Sequence, residues 1–382
     1  MDNSVERKVR VLQVQNNYNI SESDLAEQIV KGLPPERFSV TTAFLKKKPA
    51  PGDPVSCAQH AVYFDFKSAE LKGVRRFVAL YRLYQFCRKE QFDVVICHRF
   101  KPTHIFLLLN RLLGFQRCIC VTHGLGDYDR RYRQKVVGRW LTDNWCFVGV
   151  SQAVREDLIS HCPSLNPENT VVINNAIDIE RAQSLQLSRV QARAELGLAN
   201  DVFVFGTIGR LVPVKGHSDL IKAAALLKER YPHMQVVIIG GGRDQDALTK
   251  QIAEAGLEQT VILAGWKDNA LRYVKAFDVF VLPSLSEGLP LSLLEAMSGA
   301  VPTIGSNIPQ IRAVIDGLGL LAPPQDPEAL AKTMEEYLAL DEGEIRQRGT
   351  AHLQALLTKH NINDYRTQYR LLIEKMGVSE LK

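Results

Sequence analysis

The sequence predicts an α/β protein of two doubly wound parallel-sheet domains, and three observations carry that prediction. Short apolar runs rich in Val and Ile alternate with longer amphipathic stretches through both halves, the pattern of parallel strands joined by crossover helices. The 382 residues, 46% hydrophobic and 23% charged, have ordinary globular composition at about twice the usual length of one domain. The alternation weakens once, between Asp178 and Asn200, where polar residues dominate.

In chain order, strands are expected at 8–14, 38–44, 93–97, 117–122, 146–150 and 171–173, with helices at 24–32, 71–89, 103–113 and 152–161 between them. A short helix at 190–196 stands apart. The alternation then restarts with strands at 201–207, 235–239, 260–264 and 278–282 and helices at 218–230, 245–255 and 269–276, and the last 40 residues read as helical. The expected domains are therefore 1–185 and 186–358, with a C-terminal helix in 359–382 able to cross back onto the first. Ligands of such sheets bind outside the carboxyl ends of the strands, so a cleft between two such domains is the expected site.

The net charge of +5 is too small to mark a dedicated nucleic-acid binder. It is unevenly spread: residues 1–180 carry 25 basic and 19 acidic side chains, and residues 181–382 carry 22 and 23. Attraction to an anionic partner thus belongs to the first half. All seven cysteines (Cys57, Cys87, Cys97, Cys118, Cys120, Cys146, Cys162) also lie there, with no CxxC pair, so a reducing compartment fits better than a disulfide framework or a zinc site. The N-terminus does not read as a secretory signal, and no apolar run approaches the roughly 18 to 20 residues of a spanning helix. A cytoplasmic protein, soluble or peripheral, is expected.

Three segments of the second half carry chemistry. Gly206-Thr207-Ile208-Gly209-Arg210-Leu211-Val212-Pro213-Val214-Lys215-Gly216 follows a strand and precedes a helix; its glycines permit close backbone approach, and Arg210 and Lys215 place two cations at the strand's carboxyl end. Taken alone, the segment also reads as a loop with two solvated cations. The run from Pro283 to Met297 follows the strand 278–282, with Pro290 suited to the first helical turn, Glu287 in the loop ahead and Glu295 in the helix. The N–H groups from Leu291 onward would face a phosphate, and the two carboxylates would accept from sugar hydroxyls. By itself this motif also allows a capping Glu287 and a merely exposed Glu295. The third segment, Gly240-Gly241-Gly242-Arg243, is a glycine turn after a strand. There is no GxGxxG and no GxxxxGK[ST], which argues against a dinucleotide oxidoreductase and a P-loop NTPase. Cations at one strand end and a helix N-terminus with two carboxylates at another describe a site for a sugar-bearing nucleoside diphosphate.

GRLVPVKG, SEGLPLSLLEAM and the Glu287-to-Glu295 spacing resemble the retaining glycosyltransferases of the family 4, group 1 type, including bacterial lipopolysaccharide and envelope-glycan enzymes. The resemblance implies a GT-B fold, two Rossmann-like doubly wound domains facing across a cleft, and sugar transfer from a nucleotide-sugar to an acceptor hydroxyl with retention. It places Arg210 and Lys215 on the donor diphosphate, Glu287 at the hydroxyls of the transferred sugar and Glu295 at the ribose. Gly288, Leu289, Leu291 and Ser292 line the donor between them, and the Gly265-Trp266-Lys267-Asp268 turn holds the nucleobase. His123, in Val121-Thr122-His123-Gly124, resembles the family's strand-end histidine near the reacting centre. The catalytic set implied is His123, Glu287, Arg210 and Lys215.

Two departures stand out. The loop Asn16 to Asp24 lacks the family's Gly-Gly pair, leaving Ser21 or Ser23 as candidate substitutes, and Ser306 to Gln310 lacks the usual Gly-Gly and Glu. Ser21 and His98 are the acceptor-side candidates. No metal or other cofactor is expected, because the two cations do the work of a divalent ion and the Asp127-Tyr128-Asp129 triplet lies in the wrong domain.

Within 72–89, Lys72, Arg75, Arg76 and Arg82 share one helical face opposite Val74, Phe77, Val78, Tyr81 and Tyr84, and residues 130–139 form a second acid-free run. Cations interleaved with aromatics suit an anionic membrane or a phosphorylated glycolipid, though a solvated helix face has the same pattern. The expected function is transfer from a UDP-sugar to a membrane-held glycan such as lipopolysaccharide core, on the inner face of the cytoplasmic membrane. The alternatives are a soluble transferase acting on a free sugar or small acceptor, and a non-catalytic nucleotide-sugar-binding protein.

Overall fold

The structure, a computed structural model, describes residues 7–18, 20, 24–71 and 73–375. The described residues up to Asn175, together with those from Ile362, form one compact unit, and Ala176–Asn361 forms a second.

The first unit runs β1 (Val9–Asn17), α1 (Leu25–Lys31), β2 (Phe38–Lys46), β3 (His60–Tyr63), α2 (Arg76–Glu90), β4 (Val94–His98), α3 (Phe100–Leu113), β5 (Arg117–Thr122), α4 (Arg131–Trp140), β6 (Trp145–Gly149), α5 (Gln152–His161) and β7 (Thr170–Val172). Its seven strands are parallel in the order β3-β2-β1-β4-β5-β6-β7. Strands β4 and β6 are buried at every position, which is why they read as unbroken apolar runs. Helices start where side chains take up their free N–H groups: Asp24 accepts from Ala26 N at 2.9 Å ahead of α1, and Ser151 accepts from Val154 N at 3.3 Å ahead of α5.

The second unit runs α6 (Ile179–Leu185), α7 (Arg189–Leu196), β8 (Phe203–Ile208), α8 (His217–Leu227), β9 (Met234–Ile239), α9 (Gln245–Glu254), β10 (Val261–Gly265), β11 (Val279–Leu282), α10 (Leu291–Ser298), β12 (Thr303–Ser306), α11 (Pro309–Ile315), β13 (Leu320–Ala322), α12 (Pro327–Leu338) and α13 (Glu342–Lys359). Its parallel sheet has the order β10-β9-β8-β11-β12-β13, with apolar cores on both faces.

Several expectations shift. The boundary lies at 175/176 and not near 185, because α6 is tied to the second unit: Gln183 donates to Ser298 O at 3.1 Å and Gln186 to Ser298 Oγ at 2.8 Å. The return lies at 361/362, not 358/359, because Asn361 bridges to Ile177. Beyond it α14 (Ile362–Lys375) packs on α1, where the Tyr365 hydroxyl donates to Leu25 O at 3.2 Å. The segment 269–276 is a 3-10 helix over Ala270–Ala276, and Pro290 caps α10 instead of occupying its first turn. Strands β3, β12 and β13, of three or four residues, were not anticipated, since so short a run carries no readable period.

Candidate active site

In each sheet the strand order reverses at one place, and loops diverging there leave a crevice at the carboxyl edge. In the second unit the reversal lies between β8 and β11. The loops that follow them meet directly: Leu285 N donates to Val214 O at 2.8 Å. Gly216 sits at φ +69°, and a Cβ there would lie 1.9 Å from Pro283 O, so conformation and proximity both demand glycine. The turn after β9 joins them, with Leu211 N donating to Gly241 O at 3.0 Å and no room at Gly240, where a Cβ would lie 1.9 Å from Gly209 O.

This convergence brings together the two motifs that sequence spacing singled out. Lys215 Nζ donates to Glu287 Oε1 at 2.6 Å, with both side chains largely buried. Arg210 is exposed and makes no salt bridge among the described residues. Its carbonyl accepts from His217 Nε2 at 3.2 Å. His217 is buried, which holds its pKa down at about 4, so the ring is neutral and Nε2 carries the proton. Sequence reasoning missed this residue; its placement one position after the glycine of the first motif was the available signal.

Glu287 precedes α10 and Glu295 lies within it. The first intrahelical bond of α10 is donated by Leu293 to Pro290 O at 3.2 Å, leaving the Leu291 and Ser292 N–H groups at the helix start. Leu289 is buried, while Gly288, Leu291 and Ser292 are partly exposed. Glu295 is partly accessible yet enclosed enough that desolvation pushes its carboxyl up to about 7, and no cation offsets this among the described residues. Trp266 is 72% exposed, its Nε1 donating to Asp268 Oδ1 at 3.2 Å, and Lys267 is partly buried.

In the first unit the reversal lies between β1 and β4. His98, the last residue of β4, is 5% exposed; its Nδ1 lies 3.1 Å from His123 Nε2 and its Nε2 lies 3.3 Å from Oε1 of buried Gln13 on β1. Burial, reinforced by Arg99, lowers His123 to about 3, and burial with His123 and Arg99 nearby holds His98 well below the ordinary histidine value. Both rings are neutral. With Gln13 Oε1 accepting, His98 carries its proton on Nε2, and His98 Nδ1 accepts from His123 Nε2–H. His123 Nδ1 then keeps its lone pair. His98, expected on the acceptor side, has both ring nitrogens engaged inside the unit. Ser21, the other acceptor-side candidate, lies outside the described residues, as does Lys72.

Asp127 and Asp129 have different nearest partners. Asp127 lies 3.6 Å from Arg133 Nη1, whereas Asp129 groups with Asp157 and His161. On the 72–89 segment the buried seam is Ala79, Leu83 and Cys87. Val74, Phe77, Val78 and Tyr81 are instead 60% to 82% exposed. No helix among the described residues is long and apolar enough to cross a membrane.

Two family models match: glycosyl transferases group 1 over residues 188–351 and glycosyltransferase family 4 over residues 25–181. The chain is 30% identical over 285 residues to an Escherichia coli UDP-Gal:alpha-D-GlcNAc-diphosphoundecaprenol alpha-1,3-galactosyltransferase, covering 72% of this chain and 73% of that one. It is 27% identical over 285 residues to a Corynebacterium glutamicum D-inositol 3-phosphate glycosyltransferase, covering 68% of each. Its fold matches that of Anabaena HepE, solved with UDP, at TM-score 0.79 and 17% identity over 96% of this chain and 100% of that one.

Proposed function

The chain belongs to the group 1 glycosyltransferases, and from that premise we propose that it transfers a hexose, with retention, from a UDP-hexose to a hydroxyl of a membrane-held glycan. The Lys215–Glu287 contact at the crevice of the second unit carries this reading. It gathers, within one loop cluster, a cation for the donor diphosphate, a carboxylate for the sugar hydroxyls and the start of α10. UDP is supported by the galactosyltransferase relative and the UDP-bound neighbour.

In the proposed reaction the bond from the anomeric carbon to the diphosphate oxygen breaks, and a bond from the acceptor oxygen forms on the same face. The acceptor proton passes to a diphosphate oxygen. Charge grows on the leaving diphosphate, so Arg210, Lys215 and the Leu291 and Ser292 N–H groups stabilise the transition state more than the bound donor. Glu287, released from Lys215 as that cation turns to phosphate, accepts from the transferred sugar; Glu295 accepts from the ribose; Trp266 and Lys267 flank the base. Neutral His123 keeps a lone pair on Nδ1 able to accept a hydrogen bond from a sugar hydroxyl.

The exposed apolar residues of α2 and the basic α4 support an anionic membrane surface as partner. The inositol phosphate relative favours a second reading, a small soluble acceptor. The test is transfer from UDP-, GDP- and ADP-hexoses to a glycosyl diphospho-lipid in anionic vesicles, beside soluble inositol phosphate. The proposal expects UDP-dependent, α-configured product on the lipid and salt-sensitive flotation with anionic but not neutral vesicles. Product on the soluble acceptor alone overturns it.

A further inference from the structure

A cavity of about 420 Å³ in the first unit is used by nothing above. It is walled by α2, α3, the Asp127 loop and the start of α4. Its apolar lining comes from Leu71, Ala79, Leu80, Phe100, Ile105 and Leu108. Its polar lining is mostly cationic: Arg76, Arg99, Lys101 and Arg133 stand against one carboxylate, Asp127. His104 adds no charge, because burial and the neighbouring Arg76 lower its pKa.

The cations are differently held. Arg133 is fixed, stacked 4.6 Å from the Phe100 ring centroid and donating to Asp127 O at 2.6 Å. Arg99, in the cavity lining, is held at φ +70°, a backbone conformation that non-glycine residues adopt at a cost. It makes no salt bridge among the described residues, and its charge bears on both His123 and Asp127. Arg76 is exposed at the rim, beside the solvent-facing Val74, Phe77, Val78 and Tyr81 of the same segment.

We propose that this cavity binds the phosphorylated head and first chain segment of a single amphiphile, a phosphate or diphosphate ester of a long hydrocarbon alcohol. The volume falls within the range of small-molecule sites. An apolar wall alone would take a neutral chain and a cationic rim alone a free anion; the two together, opening beside exposed apolar side chains, match a molecule with both parts. Arg99 then links the bound phosphate to His123, setting the acceptor beside the reacting histidine. The proposal rests on the membrane-held acceptor above and gives it a place.

The experiment is titration of decyl phosphate, inorganic phosphate and decanol into the full chain without vesicles, by calorimetry. Saturable one-to-one binding of decyl phosphate is expected, at least about tenfold tighter than either inorganic phosphate or decanol. Arg76→Ala and Arg99→Ala should each weaken it about fivefold, as loss of one cation near an anionic head implies. Leu80→Trp should exclude the chain. Both arginines are exposed, so their variants keep the fold even where Leu80→Trp disturbs it, and melting curves check this. Equal binding of inorganic phosphate or of decanol overturns the proposal, as does binding unmoved by both arginine variants. Transfer to the lipid-linked acceptor without decyl phosphate binding sinks the cavity assignment alone; decyl phosphate binding without such transfer sinks the membrane-acceptor reading alone.

Discussion

Lys215 Nζ lies 2.6 Å from Glu287 Oε1, so two residues 72 positions apart neutralise each other where the loops after β8 and β11 meet. Removing either partner leaves a largely buried charge uncompensated. Lys215→Ala and Glu287→Ala should each destabilise by about 2 kcal/mol, with the double variant losing no more than either single one. Urea unfolding of the four proteins measures the coupling; additive losses would show the contact to be energetically idle.

Arg210→Ala should separate activity from stability. The side chain is exposed and has no salt bridge among the described residues, so melting should shift little. Turnover should fall about 100- to 1,000-fold if the guanidinium meets the leaving diphosphate. Steady-state kinetics with the donor saturating checks it, and wild-type turnover removes Arg210 from the site.

The enclosed His98–His123 pair, His98 buried and His123 partly so, makes the fold sensitive to acid. Both folded pKa values lie below the ordinary histidine value, His123 at about 3, so the unfolded chain binds more protons as pH falls below about 6.5. Stability is complete above that value and is lost as pH falls toward 3. Between pH 7 and pH 5 His123 should remove about 2 kcal/mol, with His98 acting in the same direction, and His123→Gln should flatten the slope. A slope unchanged in that variant contradicts the assignment.

His98 Nδ1 lies 3.1 Å from His123 Nε2, and the proposed role of that contact is to position the His123 ring. His98→Leu should lower kcat about tenfold while leaving donor KM nearly unchanged. His98→Gln, able to keep a hydrogen bond to His123 Nε2, should restore most of the loss. Equal damage from both substitutions would indicate packing alone.

Glu295 carries the opposite linkage. Its carboxyl is raised to about 7 by desolvation, so the folded state holds the proton more tightly than the unfolded chain. Its penalty is absent below about pH 4.5 and grows as pH rises to 7. Glu295→Gln should therefore stabilise the fold by about 3 kcal/mol at pH 8 and by almost nothing at pH 4, while donor affinity falls. Thermal melts at the two pH values, with and without UDP, decide it.

The sequence by itself determined two parallel-sheet domains and the donor-side candidates, because both are local. Val- and Ile-rich strands alternate with amphipathic helices at fixed periods, Arg210, Lys215 and Glu287 sit in loops whose glycines mark turns, and Glu295 lies in the helix whose start Pro290 marks. The weak polar stretch suggested a boundary near 185, but Gln183 and Gln186 bind Ser298 more than 100 residues away, a pairing invisible to local composition. Only the tertiary structure could join Lys215 to Glu287, enclose His98 against Gln13 and His123, and turn Val74, Phe77, Val78 and Tyr81 outward while Ala79, Leu83 and Cys87 faced the core. Each depends on which strands become neighbours at a reversal of sheet order and on which helix face meets the sheet, and those are properties of packing between distant segments.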